Sequence, residues 1–129
     1  MLLKRRSRRR KMVKNKSKKI LADKEIYLGY ALNEIPKILG LVDRNQISPT
    51  YGSFDRNYWQ YKTIDFPTAM AQLGVLPLAY AYSYDFKESG IKNSFFQKER
   101  LKELCYAGMR FLKKCQHNDG SCDEFYPLN

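Results

Sequence analysis

The strongest constraint on the fold is an apolar stripe of helical period in residues 97–116. Its members recur at intervals of three and four positions: Leu101, Leu104, Cys105, Gly108, Phe111, Leu112 and Cys115. Lysine and arginine side chains take the other side of the same segment. An α-helix has 3.6 residues per turn, so this spacing places the apolar residues on one face. The segment is therefore predicted to be an amphipathic helix packed by one side against a core.

Two further segments are predicted to be helical. Residues 23–41 have Asp23 at an N-cap position and Gly40 near the C-cap, and Pro36 predicts a kink or two shorter helices. Their apolar side comprises Ile26, Leu28, Tyr30, Ala31, Ile35, Ile38 and Leu39. Residues 67–84, "PTAMAQLGVLPLAYAYSY", are apolar or small almost all round, which predicts a helix buried on most sides with a bend at Pro77.

The polar link at residues 85–96 is long enough to turn the chain back on itself. The second and third helices are therefore predicted to form an antiparallel αα-hairpin. No stretch shows a strong strand pattern. The predicted fold class is all-α.

The charge of the chain is concentrated at its start. Eleven of the 24 lysines and arginines lie in the first 19 residues, whereas the remaining residues carry 13 basic and 13 acidic side chains. We predict a disordered basic arm over residues 1–22 and a folded domain over residues 23–129. Residues 4–19 are candidates for contact with nucleic acid or an anionic membrane. With neither a signal peptide nor a membrane-spanning segment apparent, a cytoplasmic protein is expected.

Three cysteines and one histidine do not form a recognisable metal site. Cys115, His117 and Cys122 lack a fourth ligand and the usual spacing of zinc ligands. We expect no metal and no cofactor, and interpret the cysteines as small core residues.

The first candidate binding cluster lies in residues 48–67, "SPTYGSFDRNYWQYKTIDFP", a predicted loop. The candidate substrate-binding residues are Asp55, Arg56, Tyr58, Trp59, Tyr61, Lys62 and Asp65. Tyrosine and tryptophan rings stack on sugars, and arginine and lysine pair with carboxylates or sulfates. This mixture suits an acidic carbohydrate. The alternative is that the aromatic residues fill the core, with Asp55–Arg56 and Lys62–Asp65 as ordinary ion pairs.

The second candidate cluster follows the third helix, where "DGS" indicates a turn. Its members are Gln116, His117, Asp119, Asp123, Glu124 and Tyr126. His117 could act in principle as a general base. The alternative is a capping or surface histidine.

Two stretches together resemble a known family. "AGMRFLKKCQHNDGSCDEFYP" resembles the hairpin turns of α/α-toroid proteins, a feature shared by terpene cyclases and protein prenyltransferases. Taken with "YGSFDRNYWQYKTIDFPTAMAQ", residues 25–129 resemble the N-terminal part of heparinase II/III-like toroidal proteins associated with acidic polysaccharides.

The resemblance implies an (α/α) toroid, often followed by a β-sandwich, that acts as a polysaccharide lyase. Such lyases remove a proton beside a uronate carboxylate by means of tyrosine and histidine, while asparagine or arginine neutralises the acid. Tyr58, Tyr61, Arg56 and Asn57 have the required residue types, although none aligns with a catalytic position of the family. Catalytic residues are therefore not assigned.

Three helices cannot close a toroid. We therefore expect an N-terminal portion, part of an incomplete toroid, that binds acidic polysaccharide or oligosaccharide without catalysis of its own. The apolar second helix predicts self-association or pairing with a complementary downstream fragment. One alternative is a small helical interaction module whose basic arm binds nucleic acid or membrane. A weaker one is a terpenoid-cyclase-like fragment, since no DxDD run is present.

Overall fold

The computed structural model describes residues 23–124. The predicted arm and Tyr126 lie outside the described residues. Within residues 23–124 the chain is mostly helical, and its only β-type pairing is a single antiparallel bridge between Gln116 and Cys122. The prediction of an all-α fold is therefore confirmed. No helix of this part of the chain is long and apolar enough to cross a membrane.

The first helix, α1, covers residues 23–41 of the described chain. It continues through Pro36, so of the two alternatives predicted there, a kink or two shorter helices, the second is wrong. Ile35 is buried, whereas Ile26 and Tyr30 are exposed. Only the second half of the predicted apolar side thus reaches the core, and burial there offsets the backbone hydrogen bond that proline removes.

A loop after α1 folds back on itself around Asp43. The backbone N–H of Asp43 donates to the carbonyl of Ser53 at 2.8 Å, and the N–H of Gly52 donates to the carbonyl of Asp43 at 2.9 Å. The buried Asp43 carboxylate accepts from Thr50 Oγ1 at 2.7 Å and from the N–H of Asn45 at 3.0 Å. The loop therefore carries its own polar network into the core.

Three more helices follow the loop. They are α2 (Arg56–Trp59), α3 (Val75–Ser83) and α4 (Glu99–Cys115), with 3-10 helices at Ala69–Gly74 and Lys87–Ser89. The segment predicted as one bent helix over residues 67–84 is thus a 3-10 helix continued by an α-helix. Pro77 lies in the first turn of α3, where a missing N–H is tolerated.

Helices α3 and α4 pack against each other. The N-terminal end of α3 meets the middle of α4, where Cys105 Sγ lies 4.0 Å from the Val75 carbonyl oxygen. The C-terminal end of α3 meets the start of α4, where the N–H of Gln97 donates to the Tyr82 carbonyl at 3.0 Å. The predicted apolar face of α4 is buried at Leu101, Leu104, Cys105, Gly108 and Phe111. That part of the sequence interpretation is confirmed.

Gln72, in the 3-10 helix Ala69–Gly74, joins the loop to α4. Its side chain is only 4% exposed. The Gln72 amide nitrogen donates to the carbonyls of Gly52 at 3.0 Å and Gly108 at 2.8 Å, while its oxygen accepts from the N–H of Phe54 at 2.8 Å. The loop lies so close to α4 that a Cβ at Gly52 would collide with the backbone of Ala107. This contact fixes the position of the chain that leads into α2.

Candidate functional site

The first candidate cluster lies on and just after α2, which the sequence analysis had assigned to a loop. Asp55 is buried and caps this helix. Its carboxylate accepts from the N–H of Tyr58 at 3.4 Å and of Thr68 at 2.9 Å. These backbone donors occupy the carboxylate, so Asp55 holds the segment together and is a poor candidate for binding a ligand.

Trp59 also has a structural contact. Its indole Nε1 donates to the backbone carbonyl of Leu41 at 2.9 Å. Leu41 is the last residue of α1, and terminal carbonyls of a helix lack intrahelical partners. The side chain of Trp59 therefore attaches α2 to the end of α1.

Arg56, the first residue of α2, and Tyr61, just after that helix, lie against each other. The Arg56 guanidinium donates to the Gln60 side chain and lies 5.3 Å from the Tyr61 ring centroid. Both residues line a surface cavity of about 590 Å³. Asp65 is exposed outside that lining. Neither the Asp55–Arg56 nor the Lys62–Asp65 ion pair occurs among the salt bridges of residues 23–124.

Lys62 has a backbone conformation that is unusual for its residue type. Its φ is 55°, in the left-handed region. A residue other than glycine held there costs on the order of 1–3 kcal/mol, and such residues are concentrated at functional sites. The ammonium group lies 5.9 Å from the centroid of the Tyr58 ring. Lys62 therefore combines an unusual backbone conformation with a cation beside an aromatic ring.

The second candidate cluster is built on the turn after α4. Asp119 Oδ1 accepts from the backbone N–H of Ser121 at 2.9 Å and from its hydroxyl at 2.7 Å. These hydrogen bonds, first from the side chain and then from the backbone, lower the pKa of Asp119. Gln116 Nε2 donates to the carbonyl of Gly120 at 3.0 Å. Gln116 and Asp119 thus close the predicted turn, and their polar groups are engaged within it.

His117 and Asp123 form a pair across this turn. His117 Nε2 lies 3.1 Å from Asp123 Oδ1, and both side chains are about half exposed. The backbone of His117 is fixed by hydrogen bonds to Ser121 and Gly120. Glu124 is half-buried.

A groove of about 500 Å³ brings the two clusters together. Tyr58 and Lys62 line one side of it, and His117 and Asp123 belong to the other cluster. The remaining lining residues are Pro49, Thr50, Pro67, Phe111, Lys114 and Cys115. We refer to this as the His117 groove.

Comparison with protein-family models, with curated proteins and with solved structures finds no match to this chain.

The lining of the His117 groove carries two ammonium groups and one carboxylate. Lys62 and Lys114 are two cations on segments far apart in the sequence, and Asp123 can orient the His117 imidazole. Ammonium groups pair with carboxylates, sulfates or phosphates. Within residues 23–124 no three histidine, cysteine or acidic side chains are grouped so that they could hold a metal ion.

Lys114 and Cys115 line the groove without having been predicted from the sequence as binding residues. Both belong to the end of α4, where helical period assigns Lys114 only to a polar face. Burial raises the pKa of the Cys115 thiol. No sequence pattern indicates these two residues. They line the groove because Lys62, about 50 positions earlier in the chain, lies at the end of this helix.

Proposed function

We propose that this chain binds acidic oligosaccharide or polysaccharide in the His117 groove. The observation that carries the proposal is the meeting of Tyr58 and Lys62 with Lys114 and His117 on one surface. Tyr58 and Lys62 come from the first candidate cluster and His117 from the second, whereas Lys114 belongs to neither and comes from the end of α4. The proposal concerns binding and assigns no catalytic step to the chain.

The lining supplies the two kinds of contact that an acidic sugar requires. The Tyr58 ring offers a face or edge for a sugar ring, and the lysines offer donors for its carboxylate or sulfate. A volume of about 500 Å³ is within the range of small-ligand sites. Because the groove is open to solvent, each lysine contributes only modestly and affinity is expected to fall as salt rises.

The toroidal interpretation is part of this proposal. It is supported by the helical fold and by the contacts between α3 and α4. The start of α3 contacts the middle of α4 and its end contacts the start of α4, which is compatible with one αα-hairpin of a larger ring. A lyase-like parent protein is likewise proposed from the resemblance of residues 25–129.

Binding to a uronate oligosaccharide by isothermal titration calorimetry at fixed salt tests the proposal. Lys62→Gln and Lys114→Gln are each expected to weaken binding by roughly two- to fivefold, because an exposed ion pair contributes up to about 1 kcal/mol. Lys92→Gln is the matched control, since Lys92 is exposed and lies outside the groove. Unchanged binding in the Lys62→Gln/Lys114→Gln double variant would contradict the assignment.

The basic arm must be separated from the groove in this experiment. A full-length variant with glutamine at the lysines and arginines of residues 4–19 should lose nonspecific affinity for polyanions but keep the uronate signal. If it loses all binding while the groove variants lose none, the alternative of an interaction module with a basic arm is favoured. The concentration of eleven basic residues before a neutral body supports that alternative.

A further inference from the structure

An uncharged apolar row lies on the solvent side of residues 67–84, which contain the 3-10 helix Ala69–Gly74 and α3. Its members follow one another at three or four positions, and each is between 54% and 63% exposed: Met70, Leu73, Leu76, Tyr80 and Tyr84. The opposite side of the same segment is buried through Gln72, Val75, Leu78 and Ala81. We call the exposed set the apolar row. The prediction that residues 67–84 are buried on most sides is therefore wrong for this structure, in which the outward side is exposed.

Part of the apolar row is held by contacts within the chain. The rings of Tyr80 and Tyr84 stack at a centroid distance of 5.5 Å, and Phe86 extends the stack at 5.9 Å. Asn93 Nδ2 donates at 2.7 Å to the carbonyls of both Ala81 and Tyr84, which fixes the end of α3. Ordered aromatic side chains lose little conformational entropy on association.

We propose that the apolar row is the contact surface of a symmetric homodimer of this chain. A two-fold interface pairs a surface with itself, so a surface of one charge sign would repel its own copy, whereas an uncharged surface does not. Residues 66–84 contain no charged side chain. The chain after residue 19 carries 13 basic and 13 acidic side chains, so two folded bodies have no net repulsion. The row offers no charged side chain with which a charged partner could form an ion pair.

The area of the row is sufficient for a weak, specific dimer. Each of the five large side chains exposes on the order of 100 Å², so one copy contributes roughly 500 Å². Two copies then bury about 1,000 Å² in total, the lower limit of specific protein interfaces. The dimer is accordingly expected to dissociate in the micromolar range.

Sedimentation equilibrium of the full chain across the micromolar range tests this assignment. The wild type is expected to show a monomer–dimer equilibrium that rising sodium chloride does not weaken, because the contact is uncharged. Leu76→Glu and Tyr80→Glu place two like charges in the interface and should weaken association by roughly tenfold or more. Leu76→Ser is a milder variant for use if the glutamates impair folding, which circular dichroism checks.

Tyr106→Glu is the matched control, because Tyr106 is a tyrosine with 57% exposure on α4, outside the row. It should leave self-association unchanged. A wild type that is monomeric throughout the range, or a folded Tyr80→Glu variant that associates like wild type, would overturn the proposal. Two further results would also overturn it. One is association that disappears when residues 4–19 lose their charge, since the arm would then be the contact. The other is dissociation of the dimer by Tyr106→Glu.

Discussion

Replacing Gln72 by methionine should destabilise the protein far more than its conservative size suggests. The variant keeps the length of the side chain and removes its polar atoms. Three buried backbone groups then lose a partner: the N–H of Phe54 and the carbonyls of Gly52 and Gly108. The Gly108 carbonyl lies inside α4, where it retains an intrahelical acceptor role, so its loss is the smallest.

The magnitude follows from the two groups without such a substitute. A buried donor or acceptor left unsatisfied costs about 1–3 kcal/mol, so the expected loss is about 3 kcal/mol of unfolding free energy. The total stability of a domain is about 5–15 kcal/mol, and a loss of this size lowers Tm by roughly 10–20 °C. Because Gln72 positions the loop that leads into α2, uronate binding in the His117 groove should weaken as well.

Urea and thermal unfolding followed by circular dichroism measure the effect. Gln46→Met is the control, because Gln46 is exposed and its loss should change stability by less than about 0.5 kcal/mol. Gln72→Glu adds a second test: its carboxylate would face two carbonyls, so its deficit relative to wild type should shrink in acid, where the protonated side chain can donate. A Gln72→Met variant within about 1 kcal/mol of wild type would refute this reasoning.

Three other outcomes are expected. The pKa of Asp43 is lowered in the fold, because burial opposes ionisation but hydrogen bonds led by Ser48 and Thr50 outweigh it. The resulting stabilisation is present above the pKa of the unfolded chain and should be lost as pH falls below about 4. In a plot of unfolding free energy against pH, Asp43→Asn should flatten this part of the curve. An unchanged curve would count against the assignment. Gly52→Ala should lower the unfolding free energy in urea by about 2 kcal/mol or more, because φ is 89° and the new Cβ meets the α4 backbone. Gly90→Ala, at φ 71° in open space, should lower it by only about 1 kcal/mol. Equal losses would disprove the steric account. Burial raises the pKa of the Cys105 thiol, so mass spectrometry after iodoacetamide treatment should find Cys105 labelled far more slowly than Cys122, and equal rates would contradict its burial.

Much of the local structure was predictable because it depends on neighbours in the sequence. The three- and four-residue spacing of Leu101, Leu104 and Phe111 was enough to predict α4 and its buried face. Asp119 and Gly120 indicated a turn, and the structure has one there with Gly120 at φ 88°. At Pro36 the sequence left open a kink or two shorter helices, and the structure has one helix that continues through that position.

Other features required the tertiary structure. The sequence alone determined a basic start, a neutral helical body and an apolar second helix. Which side of that helix faces solvent depends on the close contact of Gly108 with Val75 and Phe54, and the His117 groove depends on Lys62 reaching the end of α4. Helical period is a short-range property of the chain, whereas these contacts join residues dozens of positions apart and depend on shape and hydrogen bonding in the packed core.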